Sequence, residues 1–272
     1  MNAGFALVLS LVAREGQAQP AGAKLDLYDG IVLGSPRIIG MGGSVTAAAE
    51  DMTGTLTTAA AMAFRPPGSD PDRWDWDIYL DAFRATRATD LSNSGLPAYD
   101  GVAIEASSGG LALYFGRWGF AVATTGVTYA LPAATDAMGM RNPVELSRQS
   151  SQFTTGRAWL DDQLGVGLAL VVDEFLINES TGPDRAALTL FNLTRVSLSP
   201  GVTYRPAGRP FRLGIATRLP AVGGATTNEC EARMGACNGF APPTGATAPW
   251  QVGLGFAWRI SDGSRAWNLA ST

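Results

Sequence analysis

Few residues in this chain have the chemistry to form a reactive site. The 272-residue sequence contains no histidine, which removes Ser-His-Asp and Cys-His catalysis and imidazole-based zinc sites. Its two cysteines, Cys230 and Cys237, cannot by themselves complete a tetrahedral metal site. They stand in a Gly/Pro/Thr-rich stretch, residues 223–249, where a disulfide stapling a long loop fits an exported chain and two free thiols are the alternative. Asp70 and Asp72, and the pair Asp161-Asp162, fall at turns, where Asp bonds its own backbone. Asp75, Asp77 and Asp81 alternate along one extended segment and share a face with Tyr79. Gly40-Met41-Gly42-Gly43 lacks both the Lys-Ser/Thr of a phosphate loop and the strand-helix setting of a dinucleotide fold. No nucleophile sits beside a base, so the expectation is a protein that is not an enzyme and needs neither metal nor cofactor.

These residues have to be positioned by strands. The chain is 46% hydrophobic and 16% charged, with 33 glycines and a net charge of −4. Past the N-terminus no window approaches the roughly 18 consecutive apolar residues of a spanning helix. All but one of the 20 basic residues are arginine, Lys24 being the exception, and they are scattered singly. A nucleic-acid partner is not expected from such a pattern. Residues 3–13 have the length of a signal h-region and Gly16-Gln17-Ala18 reads as a small-x-small cleavage site, although no Lys or Arg precedes them. A short buried helix or strand is the alternative.

Residues 24–65 are rich in glycine and small residues, which suits tight turns and short helical pieces packed closely on other backbone. From Trp74 onward the pattern becomes two-residue alternation. Trp74, Trp76, Ile78 and Leu80 fall opposite the aspartates. Leu111, Leu113 and Phe115 alternate with Gly110, Ala112 and Tyr114, and Leu164, Val166, Leu168 and Leu170 with Gly165, Gly167 and Ala169. Trp250, Val252, Leu254, Phe256, Trp258 and Ile260 alternate with Gln251, Gly253, Gly255, Ala257 and Arg259. A soluble sandwich shares such alternation. Two features favour a membrane barrel: several runs reach the roughly 10 residues a tilted strand needs to cross a bilayer, and Trp or Phe stands near strand ends. The partner face is Gly and Ala, where a solvated sheet would carry Lys, Glu and Thr. In a barrel, Asp75, Asp77 and Asp81 would face the lumen across from Arg212, Arg218 and Arg259. They would form a rigidifying charge network or, more sharply, offer a guanidinium to a ligand carboxylate.

Residues 35–63, SPRIIGMGGSVTAAAEDMTGTLTTAAAMA, resemble the N-terminal signature of the FadL-type outer-membrane transporters of long-chain fatty acids and other hydrophobic compounds. Arg37, Gly40, Met41, Gly42, Gly43, Glu50 and Asp51 match that pattern, whereas Thr58-Ala59-Ala60 stands where the family has Asn-Pro-Ala. Residues 199–220 look like the family's paired strands, and residues 249–259 like the strand after the next external loop. The resemblance implies an all-β, antiparallel barrel of about 14 strands, of which roughly eight or nine segments of about ten residues are visible here. That shortfall favours a truncated member over a smaller barrel. The implied organisation is a signal peptide at 1–18, a plug or hatch at 19–68 and the transmembrane barrel at 69–272. The implied function is passive uptake of hydrophobic small molecules by a monomer in the bacterial outer membrane. Its partners are outer-membrane lipid and the ligand. Related barrels that serve secretion share the first block, and a soluble periplasmic β-rich binding domain is the further alternative.

Overall fold

The computed structural model describes residues 24–26, 46–66, 68–70, 72–87, 102–135, 141–179, 188–226, 245–247, 250–261 and 266–271. The leader at 1–18, Arg37, Gly40, Met41, Gly42, Gly43, Cys230, Cys237 and the side chain of Arg259 lie outside them.

The described chain is almost entirely antiparallel strand: β1 (Lys24–Asp26), β2 (Asp75–Arg87), β3 (Val102–Phe115), β4 (Trp118–Thr135), β5 (Arg141–Trp159), β6 (Leu164–Glu179), β7 (Leu188–Tyr204), β8 (Phe211–Arg218), β9 (Val222–Thr226), β10 (Gly245–Thr247), β11 (Gln251–Ser261) and β12 (Ala266–Ser271). A five-residue helix α1 (Asp51–Thr55) and a 3-10 turn (Ala59–Ala63) precede β2. β1 and β10 form a small parallel pair, and the remaining ten strands form one sheet, nine of them in the order β2-β3-β4-β5-β6-β7-β8-β11-β12. β9 joins the sheet on β7 beyond β8, after a break at Leu219-Pro220 where the Leu219 N–H donates to Leu198 O at 2.9 Å. The edges β2 and β12 do not pair with each other among the described residues, so the sheet is not closed. Among the described residues no helix is long and apolar enough to cross a membrane.

Consecutive strands are joined at one end by short turns. Gly116 (φ +55°) lets β3 reverse into β4 through two residues, and Gly208 (φ +67°) serves the turn between β7 and β8. The strands are long: β4, β5, β6 and β7 have 18, 19, 16 and 17 residues, against about 5–6 in ordinary globular sheets. Because side chains alternate, the sheet has a bulky face and a small face. Register aligns Ile78, Leu111, Val122, Phe153, Leu170 and Leu198 into one unbroken row on the bulky face. Four residues further along the strands, the same face carries Ala82, Ser107, Gly126, Gln149, Glu174 and Thr194. At the short-turn end stand Trp74, Trp118, Trp159, Tyr204 and Trp258, all exposed.

The opposite, small face curls around residues 46–64. A Cβ on Gly110 of β3 would strike Met52 Cε, and one on Gly255 of β11 would lie 2.6 Å from Ala47 N. Six strand-to-strand steps separate β3 from β11, about 29 Å if the sheet were flat, whereas five residues of chain reach at most about 18 Å. Only a strongly curved sheet lets one short segment touch both strands. β5 was not marked by the sequence pattern, because its bulky-face positions read Glu145, Ser147, Gln149, Ser151, Phe153 and Thr155 rather than a hydrophobic run.

Candidate functional site

Residues 46–64 form the most deeply buried part of the described chain. Met52, Ala60, Ala61 and Met62 are fully inaccessible, and Phe64 nearly so. The reason lies in the sheet's small face. A Cβ on Gly167 would fall on the Ala59 carbonyl and one on Gly119 on the Met62 carbonyl, while Gly156, Gly201 and Gly214 meet Ala63, Thr58 and Thr46 at similar range. Backbone is thus laid on backbone, an approach any larger residue would prevent. Met52 and Met62 pack with Tyr79, Ala112, Tyr114, Ala121 and Ala123, and Phe64 packs with Ala63 and Ala158. Thr58 caps the 3-10 turn, its Oγ1 accepting from Ala60 N at 3.3 Å.

Polar contacts fix the segment laterally. Asp77 Oδ2 accepts from Met52 N at 3.0 Å, and Gln152 Nε2 donates to Thr55 O at 2.9 Å. The Glu50 carboxylate accepts from Arg205 Nη1 at 2.8 Å and Arg212 Nη1 at 2.7 Å. Arg205 also lies over the Phe64 ring, 3.8 Å from its centroid, and donates from Nε to Asp162 O at 2.7 Å. Burial pushes the Arg205 guanidinium below its ordinary range, opposed by the Glu50 charge. Just past the segment, Arg65 Nε donates to Gly116 O at 2.9 Å. One row beyond the segment, Asp173 is wholly inaccessible on the small face, held by Arg195 at 3.0 Å and by Arg148 and Arg218 at 3.4 Å.

Of the residues singled out from sequence, Glu50 and Asp51 lie on the segment. Asp75, Asp77 and Asp81 share the small face of β2 but do not meet Arg212 or Arg218. Asp75 accepts from Ser69 and from Trp76 N, and Asp81 accepts from Tyr79 Oη at 3.1 Å. Arg212 pairs with Glu50 and Arg218 with Asp173, so the charge network expected between the two sets is in fact two separate clusters. The segment comes between the two sets: Asp77 of β2 is taken by Met52 N and Arg212 of β8 by the Glu50 carboxylate. Asp173, Arg195, Arg148, Arg205 and Gln152 were not singled out beforehand. Asp173 carried a signal, as the one charge ending the small-face run Gly165, Gly167, Ala169, Val171.

Asp51 begins α1 at φ +62°, a left-handed conformation, with its Oδ1 accepting from Thr53 N at 2.9 Å and Thr53 Oγ1 at 2.8 Å. Burial raises its carboxyl above the usual value, and the Thr53 bonds only partly offset this. An acid whose pKa is raised by folding contributes stability fully below its unfolded value and loses that contribution as pH climbs through the folded one. Asp51→Asn keeps the acceptor and tolerates the backbone. It should hold the segment more firmly than wild type at neutral pH and equally below about pH 4. Asp51→Ala should be weaker at both, by about 1–2 kcal/mol for the left-handed residue. Urea midpoints of the three proteins at neutral pH and at about pH 4 check the order.

Comparison with protein-family models, curated proteins and solved structures gives no match.

Proposed function

We propose that the chain is the wall and hatch of an outer-membrane β-barrel that lets hydrophobic small molecules, long-chain fatty acids among them, pass without an energy source. The observation that carries this reading is the inside-out distribution of the sheet. Large apolar side chains such as Trp76, Ile78, Leu80, Leu168 and Leu254 stand exposed on one face, while glycine and alanine close over residues 46–64 on the other. In water that arrangement is costly, since soluble domains rarely leave a contiguous apolar face of this extent uncovered. In a bilayer it is the expected one.

The dimensions support it. The apolar band runs from the Leu164–Tyr204 row to the Val172–Val196 row, eight residues or about 27 Å along the strand. A tilt of about 40° brings it to about 21 Å, close to the height of a barrel's lipid-facing belt. Aromatic residues line the short-turn end, and Ser, Gln, Glu and Thr take over at the other. The segment has the form that the family resemblance implies for a plug: a small-residue run, the Glu50-Asp51 pair and a capped turn. Thr58 caps that turn where the family has Asn, and both residues are good caps. Closure of the open edges β2 and β12, the plug role of residues 46–64 and the ligand belong to the proposal.

Mass spectrometry of the solvent extract of membrane-purified protein tests the transport role. Retained hydrophobic molecules, displaced in competition by added fatty acid, are the expected result. Membrane-embedded protein with an empty extract would favour a secretion or assembly partner of the same architecture.

A further inference from the structure

Arg157 is the only charged residue on the bulky face of the apolar band among the described residues. Register sets it between Trp118 of β4 and Val166 of β6, with Trp159 two residues on along its own strand. Its guanidinium carbon lies 4.0 Å from the Trp159 ring centroid and 5.0 Å from that of Trp118. Among the described residues no carboxylate pairs with it, and its buried Nε has no hydrogen-bond acceptor. The nearby charges are taken: Arg117 pairs with Asp161 in the turns at 3.1 Å, and Arg205 with Glu50 on the other face. A cation among lipid-facing side chains is costly at mid-membrane and tolerated at the interface, where its head reaches the polar layer. Arg157 lies in that rim, and two indoles hold its planar fork while leaving donors free. A guanidinium fork matches two oxygens of a phosphate.

We propose that Arg157, held between Trp118 and Trp159, binds the headgroup phosphate of an anionic phospholipid at the short-turn end of the sheet. This rests on the membrane reading above. It goes beyond that reading in naming a lipid contact on the outer wall, remote from residues 46–64.

The test uses the folded protein in phosphatidylcholine vesicles and follows tryptophan fluorescence. Quenching by phosphatidylglycerol with brominated acyl chains is compared with quenching by phosphatidylcholine brominated at the same positions. Wild type should prefer the anionic lipid by about fivefold, the free energy of one cation at a charged membrane surface. Arg157→Gln should quench equally with both. Equal quenching in wild type, or an undiminished preference in Arg157→Gln, overturns the site while leaving the protein in the bilayer. Absence of quenching by either lipid overturns the membrane reading itself, and this proposal with it. Should the glutamine variant not fold, Arg157→Lys carries the test: it keeps the charge but loses the planar stack, and its preference should fall below that of wild type. A preference equal to wild type's overturns the indole-held geometry.

Discussion

Gly167→Ala is expected to release residues 58–60 from the sheet and to destabilise the protein by about 1–3 kcal/mol, the range for overpacking a filled interior. The added methyl would occupy the position of the Ala59 carbonyl, with Ala60 N 2.7 Å away. Both obstacles are backbone, so no rotamer change relieves them, and β6 cannot retreat because β5 and β7 hold it along its full length. Gly253→Ala is the control. Its Cβ would meet nothing nearer than Thr46 Oγ1 at 3.5 Å, an ordinary contact, and the change should be nearly silent. Urea midpoints of the two variants, with chymotryptic cleavage after the buried Phe64 as the local readout, separate a filled small face from mere intolerance of alanine in strands. Equal behaviour of the two variants would mean that residues 46–64 do not lie against the sheet as described.

Asp173→Ala should be the most damaging single polar change, about 3–5 kcal/mol, the cost of leaving a buried ion pair without one partner. The carboxylate has no solvent contact, and Arg195, 4% exposed, is the partner register sets directly beside it. Arg195 and Arg148 both lie over the Phe175 ring, at 4.9 and 5.4 Å from its centroid, so losing Asp173 leaves the buried Arg195 charge facing an apolar ring. Asp173→Asn keeps an acceptor but not the charge and should fall between Ala and wild type. Thermal unfolding of the three proteins measures the order. A melting temperature for Asp173→Ala within a degree or two of wild type would show that the cluster has solvent or another anion to compensate it.

Much of this architecture was legible in the residues, and the part that was not has a physical reason. β11 could be read directly, because Trp250 to Ile260 alternates bulky with small and nothing interrupts the period. The same period gave the two faces of β2, β3, β4 and β6, and the glycine content of one face pointed to a closely packed backbone. β5 escaped because a polar strand has no hydrophobic period to detect. The segment's short helical pieces were expected from its small residues, but its path across the strands was not. That path depends on the curl of the whole sheet, which no local pattern encodes. The ion pairs were the least accessible. Glu50 and Arg205 are 155 residues apart, and their meeting depends on register accumulated over six strands. Asp75, Asp77 and Asp81 were rightly set on one face, yet their partners came from neighbouring backbone and hydroxyls: Ser69 and Trp76 N for Asp75, Met52 N for Asp77 and Tyr79 for Asp81.

The central claim is that the bulky face meets lipid. Fractionation of the full-length gene product, with electrophoresis of unheated and boiled samples, tests it most directly. Recovery in the outer membrane, with a folded band that shifts on boiling, is the predicted result, since antiparallel strands sealed in a bilayer resist detergent until heated. Recovery in the soluble fraction, with one band before and after boiling, would contradict it and leave a β-rich domain whose apolar face is covered by some other partner.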